Sequence, residues 1–139
     1  MADHIDPTRA QFSAMMKLPD DGPIHMLNLI KLKDWASYED ARRVTGTEAY
    51  TTYGQESSPI FQRVGGRNVH SWEPKLVVIG PDDEAWDVAF IAEYLKAEAF
   101  GEMVKDPDYQ KAVIHRQAAV ETSRLIRLHP KDSGSVFGE

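Results

Sequence analysis

The pattern of hydrophobic and polar positions along the chain predicts four β-strands. Residues 23–32, "PIHMLNLIKL", are apolar on both faces, which is typical of a strand buried within a sheet. Residues 67–80 predict a second strand that is interrupted near Pro74, and residues 86–95 predict a third. Residues 120–130, "VETSRLIRLHP", predict the strand that closes the fold.

Helical spacing separates these strands. Asp6 is predicted to cap a short first helix, with Pro7 at its first helical position. From about Glu48 to Val64, apolar residues recur at intervals of three and four. This spacing predicts a long helix with one apolar face, and Pro59 is expected to bend it because proline removes a backbone donor.

A second long helical segment precedes the last strand. Residues 96–120 carry two apolar stripes, and Asp106-Pro107 between them predicts an interruption. The order β-α-β-β-α-β, after an extra N-terminal helix, predicts an α+β, ferredoxin-like fold with an antiparallel sheet. Because the strands are apolar on both sides, we expect a second copy of the chain to cover the open sheet face.

The chain is predicted to form a single domain over residues 1–139. Its core is expected at about residues 22–130, after an N-terminal helix and turn over residues 1–21. Residues 131–139 contain proline, glycine and serine and are expected to form a loose tail.

Composition and charge exclude several classes of function. The chain has no cysteine, so a disulfide framework and a thiol nucleophile are excluded. Its net charge of -6, without a basic cluster, argues against nucleic acid and anionic lipid as partners. No apolar run approaches the ~20 residues of a membrane helix, and the first residues do not look like a secretory signal. We therefore expect a cytoplasmic protein without a membrane partner.

The stretch "RVGGR", residues 63–67, has two interpretations. A phosphate-binding loop lies between a strand and the N-terminus of a helix. Here Gly65-Gly66 follow a predicted helix and precede a predicted strand, so the pair is better explained as the end of the helix. Arg67 then enters the strand either as a solvated or salt-bridged arginine or as part of a pocket.

Arg116 has an unusual position for a charged residue. It lies seven residues after Tyr109 and three after Val113, on the apolar face of the predicted helix. Because arginine keeps its proton, it must be paired or must meet an anion. It is expected either to pair with an internal acid such as Asp87 or Glu93, or to present its planar guanidinium to a carboxylate ligand.

Other polar groups are predicted within apolar surroundings. Asn28 lies in the first strand, where a buried amide needs hydrogen-bond partners or a pocket to line. Aromatic residues at helical or strand spacing are normally core, although their polar atoms also seek partners. A pocket with a few polar anchors is the usual form of a small-molecule site. The predicted ligand-binding residues are Asn28, Tyr50, Tyr53, Arg67, Trp86, Tyr109 and Arg116.

Candidate catalytic groups are few. The five histidines show no spacing typical of a metal site, so no metal and no cofactor are predicted. His115 is the histidine best placed for acid–base chemistry, and Tyr53 is the second candidate. No G-x-S-x-G motif is present that would indicate a serine nucleophile.

Several segments between about residues 22 and 130 carry a resemblance: "MLNLIKLK", "EAYTTYGQ", "RVGGR", "WDVAFIAEYL" and the block that runs from "AFGEMVKDPDYQ" to "SRLI". They resemble the DUF1330 family of bacterial proteins. The family is similar to the dimeric α+β barrel group, which includes cofactor-free monooxygenases, lactone isomerases and haem enzymes. The resemblance implies a dimeric α+β barrel, in which the sheets of two subunits face each other, with a pocket between sheet and helices in each subunit. It also places Tyr53, Arg67, Trp86, Tyr109 and Arg116 among the family's typical residues. Tyr94-Leu95 departs from the family, which often has an aromatic residue followed by proline there.

Three functions are compatible with these features. The first is a cofactor-free oxygenase or isomerase that acts on a small anionic or enolisable compound, with arginine stabilising the oxyanion and His115 or a tyrosine moving the proton. The second is a binding protein for a small organic acid, without chemistry. The third is a structural or interaction dimer in which the arginines form internal ion pairs.

Overall fold

The computed structural model describes residues 4–138, which form a four-stranded sheet and four helices. The strands are β1 (Ile24–Leu32), β2 (Arg67–Trp72), β3 (Val88–Tyr94) and β4 (Val120–Leu128). The helices are α1 (Arg9–Lys17), α2 (Gly46–Arg63), α3 (Ala97–Lys105) and α4 (Pro107–Ala119). No helix in this part of the chain is long and apolar enough to span a bilayer.

The sheet has the ferredoxin-like order β2-β3-β1-β4. Strand β1 pairs antiparallel with β3 and with β4, and β2 pairs antiparallel with β3. Helix α2 connects β1 to β2, and the pair α3 and α4 connects β3 to β4. The α+β class, the antiparallel sheet and the ferredoxin-like topology predicted from the sequence are confirmed.

The hydrophobic core lies between one face of the sheet and the helices. Alternate residues of β1, Ile24, Met26 and Ile30, are almost fully buried, because successive side chains of a strand point to opposite faces. Tyr94 of β3 packs edge-on against Phe100, with ring centroids 5.4 Å apart. His25 and the other odd-numbered residues of β1 therefore point to the opposite face, which the helices of this chain leave uncovered.

The first helix begins later than predicted. The expected cap, Asp6, is wrong: the N-cap is Thr8, and the helix starts at Arg9. The Thr8 hydroxyl accepts from the Gln11 backbone N–H, while the Gln11 side chain accepts from the Thr8 N–H. This reciprocal capping box satisfies two backbone N–H groups that would otherwise lack partners. The predicted start, with Asp6 as N-cap and Pro7 as the first helical residue, does not offer this pair of hydrogen bonds.

Strand β2 is shorter than predicted. It ends at Trp72, whereas the expected strand continued to residue 80. Residues 73–86 pair with no strand of the described chain, although Leu76, Val78 and Ile79 are strongly apolar. Side chains of this type favour a strand because they pack well on a sheet, but a segment forms a strand only where a neighbouring strand is available to pair with it.

The glycine pair ends helix α2, as predicted. Gly65 has a φ of +83°, which glycine adopts without strain. Gly66 lies so close to the Phe61 ring that an added Cβ would come within 2.3 Å of it. The two glycines thus reverse the chain tightly into β2, and the first position of that strand is Arg67.

Candidate functional site

A cleft of about 190 Å³ opens between the β1–α2 loop, the first half of α2 and the last turns of α4. The loop is fastened at both ends: an isolated bridge joins Trp35 to Thr45, and the Ser37 N–H donates to the Ala118 carbonyl at 2.9 Å. These contacts bring the loop over the end of α4. The lining residues are Tyr38, Arg42, Val44, Glu48, Ala49, Thr52 and His115.

His115 connects two other side chains at the wall of this cleft. Its Nδ1 lies 2.6 Å from the Tyr38 hydroxyl oxygen, and its Nε2 lies 3.3 Å from Glu56 Oε1. The imidazole is 17% exposed, and the Glu56 side chain is half-exposed. The three groups form a carboxylate–imidazole–phenol series, in which the imidazole has a partner on each nitrogen.

Tyr38 is held by a charged neighbour as well as by the imidazole. The Arg42 guanidinium lies over the Tyr38 ring, 4.0 Å from its centroid. Partial burial raises the pKa of the Tyr38 hydroxyl, and the positive charge of Arg42 opposes that rise. Arg42 Nη2 also donates to Asp40 Oδ2 at 2.7 Å, and this pairing lowers the pKa of Asp40 to about 2.

A second polar cluster lies on the core side of α2 and α4. The hydroxyl oxygens of Tyr53 and Tyr109 are 2.8 Å apart, and the Tyr50 ring packs against Tyr53 with centroids 5.5 Å apart. Burial raises the pKa of Tyr50 and of Tyr109 far above the usual value, while the charge of Arg116 opposes the rise in both. Four of the seven predicted ligand-binding residues therefore lie together.

The guanidinium of Arg116 is bound to uncharged acceptors. Nη1 donates to the Ile5 carbonyl, and Nη2 lies 3.3 Å from the Ser123 hydroxyl. Neither acid suggested by the sequence is its partner. Asp87 accepts from the Leu32 backbone N–H at 2.7 Å, and Glu93 lies on the other face of the sheet.

Arg67 and Trp86 lie away from the tyrosine cluster. Arg67 Nη2 donates to Glu93 Oε1 at 3.0 Å, and Glu93 Oε2 lies 2.9 Å from His25 Nε2. Both contacts lower the pKa of Glu93. This group is on the sheet face that the helices leave uncovered. Trp86 precedes β3, with the Arg124 guanidinium 5.3 Å from its ring centroid.

Asn28 lies on the helix-facing side of β1, and its amide donates to the Met26 carbonyl at 3.1 Å. It is partly buried, and its described hydrogen bond is thus local to its own strand. The roles predicted for Asn28 and for the other ligand-binding residues remain predictions.

Sequence reasoning identified His115 but missed its partners. Tyr38 and Arg42 belong to the irregular segment before α2, where no periodicity singles them out. A usable signal existed on α2, because Glu48, Thr52 and Glu56 are spaced by four residues and so share one helix face. Among residues 4–138, no three potential metal-ligating side chains are grouped so as to hold an ion.

The cleft and most of the sheet lie in the part of the chain that matches a known protein family. The model of DUF1330, a domain of unknown function, matches residues 37–127. The chain belongs to the DUF1330 family. The match includes Tyr38, Glu56 and His115, and it confirms the resemblance that the sequence segments indicated. No functionally curated protein is significantly similar in sequence to this DUF1330 member.

Solved structures similar to the DUF1330 chain fall into two groups. RPA0582 from Rhodopseudomonas palustris, a protein of unknown function, is 52% identical over 95% of this chain and 100% of that chain, with a TM-score of 0.91. Its methylated form gives a TM-score of 0.93 at 52% identity, over 97% of this chain and 100% of that chain. SnoaB from Streptomyces nogalater, a cofactor-independent oxygenase, is 14% identical over 83% of this chain and 99% of that chain, with a TM-score of 0.51. At this identity, the likeness to SnoaB extends to the fold alone.

Proposed function

We propose that the chain is an acid–base enzyme, an isomerase or a cofactor-free oxygenase, that acts on a small enolisable compound bound in the cleft. The observation that carries this proposal is the position of His115, with Nδ1 2.6 Å from the Tyr38 hydroxyl and Nε2 3.3 Å from Glu56. A titratable imidazole between a carboxylate and a phenol, at the wall of a cleft, has the composition of a proton relay.

The partners of the imidazole define its tautomer. An ionised Glu56 accepts a hydrogen bond and so favours the tautomer with a proton on Nε2. Nδ1 is then free to accept the proton of the Tyr38 hydroxyl. Glu56 does not line the cleft itself, so we assign it a positioning role: it orients the imidazole and stabilises the imidazolium that forms.

The proposed reaction begins with removal of a proton from carbon. The Tyr38 oxygen takes the proton next to a substrate carbonyl while its own proton passes to His115, which leaves an enolate in the cleft. The guanidinium of Arg42 is the positive group that faces this enolate. In a substrate with a conjugated double bond, return of the proton to the γ-carbon gives an isomer. Addition of O₂ to the enolate carbon, with the proton returned from His115 to the distal oxygen, gives a hydroperoxide.

The charges around the cleft favour an uncharged substrate. Arg42 is paired with Asp40, and the cleft is also lined by the carboxylate of Glu48. A negatively charged compound would meet net negative charge there, whereas a neutral ketone would not. A volume of about 190 Å³ suits a compound smaller than a typical drug.

Exchange of carbon-bound hydrogen in D₂O tests this function. Purified protein is incubated with acetone, cyclohexanone or pyruvate, and loss of the α-proton signal is followed by proton NMR. We expect faster exchange with the ketones than with pyruvate, and a fall of about 10²-fold or more in His115→Gln. His129→Gln is the matched control, since His129 is an exposed histidine outside the cleft lining. Equal rates in both variants would contradict the proposal.

We also propose that the chain forms a homodimer through the uncovered sheet face. Support comes from apolar side chains exposed in the single chain: Trp72 is 53% exposed and Ile126 45%, both on edge strands of the sheet. Leu76 and Val78, in the segment after β2, are 82% and 84% exposed. Apolar surface of this kind normally marks an interface. Light scattering is expected to give twice the chain mass, and a single-chain mass at micromolar concentration would contradict the dimer.

A further inference from the structure

The residues before α1 are held against α4 and β4 by carbonyl oxygens. We define the N-terminal strap as His4–Asp6. The His4 carbonyl accepts from the Ser123 backbone N–H at 2.9 Å and lies 2.6 Å from the Ser123 hydroxyl. The Ile5 carbonyl accepts from Arg116 Nη1, and Asp6 Oδ2 accepts from the Gln117 side chain at 3.1 Å.

The strap accepts a hydrogen bond from the guanidinium of Arg116, which is partly buried. Arg116 is bound to the Ile5 carbonyl and the Ser123 hydroxyl, both of which are uncharged. Within residues 4–138, no carboxylate forms an ion pair with it. An arginine with restricted access to water is best satisfied by an anion, because a carboxylate accepts two charge-assisted hydrogen bonds from its planar fork.

The strap residue that contacts Ser123 has a strained backbone. His4 has a φ of +52°, in the left-handed region that residues with a Cβ seldom adopt. The carbonyl of this same residue accepts from both donors of Ser123. A bound state that requires an unfavourable backbone conformation is easier to displace than an unstrained one.

We propose that Arg116 and Ser123 form a binding site for a small carboxylate, and that the N-terminal strap occupies this site until the ligand displaces it. The two carboxylate oxygens would take the places of the His4 and Ile5 carbonyl oxygens. The exchange replaces neutral acceptors of the guanidinium by charged ones and releases the strain at His4. This site is separate from the cleft, whose lining does not include Arg116, and the proposal does not depend on any reaction there.

Two substitutions of one residue test the competition in opposite directions. Proline at position 4 fixes φ near -65°, so His4→Pro cannot keep the strap in place. Glycine adopts a positive φ freely, so His4→Gly stabilises the strap. Acetate is the probe, titrated into the full ¹⁵N-labelled chain while the Ser123 amide and Arg116 Nε resonances are followed. We expect the acetate Kd of His4→Pro to be about tenfold lower than that of the native chain, and that of His4→Gly to be higher.

Two further variants define the site. Arg116→Gln is expected to abolish the saturable shift of the Ser123 amide, whereas Arg43→Gln, on an exposed arginine that lies over the Trp35 ring, is expected to leave it unchanged. Identical acetate affinities in His4→Pro and His4→Gly would overturn the competition. A saturable shift that persists in folded Arg116→Gln would overturn the site. If Arg116→Gln fails to fold, the His4 pair still decides, because those substitutions lie outside the core.

Discussion

On each of two sides of helix α4, a tyrosine hydroxyl forms a short contact with a side chain of the helix, but the surroundings of the two contacts differ. On the cleft side, the Tyr38 hydroxyl lies 2.6 Å from an imidazole nitrogen of His115. On the core side, the Tyr53 and Tyr109 hydroxyls lie 2.8 Å from each other. Only the first pair contains a group that ordinarily changes its charge near neutral pH.

Burial separates the two pairs further. It raises the pKa of Tyr109 far above the usual value, so the Tyr109 hydroxyl stays protonated at any physiological pH. The rise at Tyr38 is opposed by Arg42, and the group borders a cleft that a small molecule can enter. A short hydrogen bond therefore indicates chemistry only where one partner titrates and the substrate has access.

The largest expected contrast between the two sides is in the rate of reaction. Tyr38→Phe keeps the ring under Arg42 but removes the relay hydroxyl, so the hydrogen-exchange rate of a ketone in D₂O is expected to fall about 10²-fold or more. Tyr53→Phe removes a hydroxyl of the core pair and is expected to change that rate by less than about twofold. Proton NMR on both variants measures the difference, and a comparable loss in Tyr53→Phe would assign the relay to the core side instead.

The fold followed from short-range patterns because the decisive signals are local. The two-residue period of the strands, the break at Asp106-Pro107 and the Gly65 turn each act within a few residues. The errors also have local causes. A capping box at Thr8 replaced the expected cap at Asp6, and the apolar segment after Trp72 has no neighbouring strand with which to pair.

The candidate site followed from the sequence only in part, because its contacts are long-range. His115 meets Tyr38 across 77 positions of the chain, and no spacing within one element reveals such a meeting. For Arg67 the deciding factor is strand register. Arg67 lies opposite Glu93, and a shift of one residue would have turned it toward the helices. Interpretations that depend on which face a strand residue occupies therefore require the register.

The smaller expected difference between the two pairs is in stability, and the larger loss of stability is expected from substitutions in the core pair. Tyr53→Phe leaves the buried Tyr109 hydroxyl without its partner, which is expected to lower the free energy of unfolding by roughly 1–3 kcal/mol.

A double-mutant cycle tests whether the two hydroxyls act as a pair. Removing both, in Tyr53→Phe combined with Tyr109→Phe, leaves neither hydroxyl without its partner, so the double variant should lose less stability than the sum of the two single losses. Urea denaturation of the four proteins gives the coupling energy directly. The partly buried Tyr38 hydroxyl borders the open cleft and so can bind water when its partner is removed. Tyr38→Phe and His115→Gln should therefore show little coupling in stability. Additive stability losses in the Tyr53–Tyr109 pair, or strong stability coupling in the Tyr38–His115 pair, would contradict the assignment of a structural role to the core pair and a catalytic role to the cleft pair.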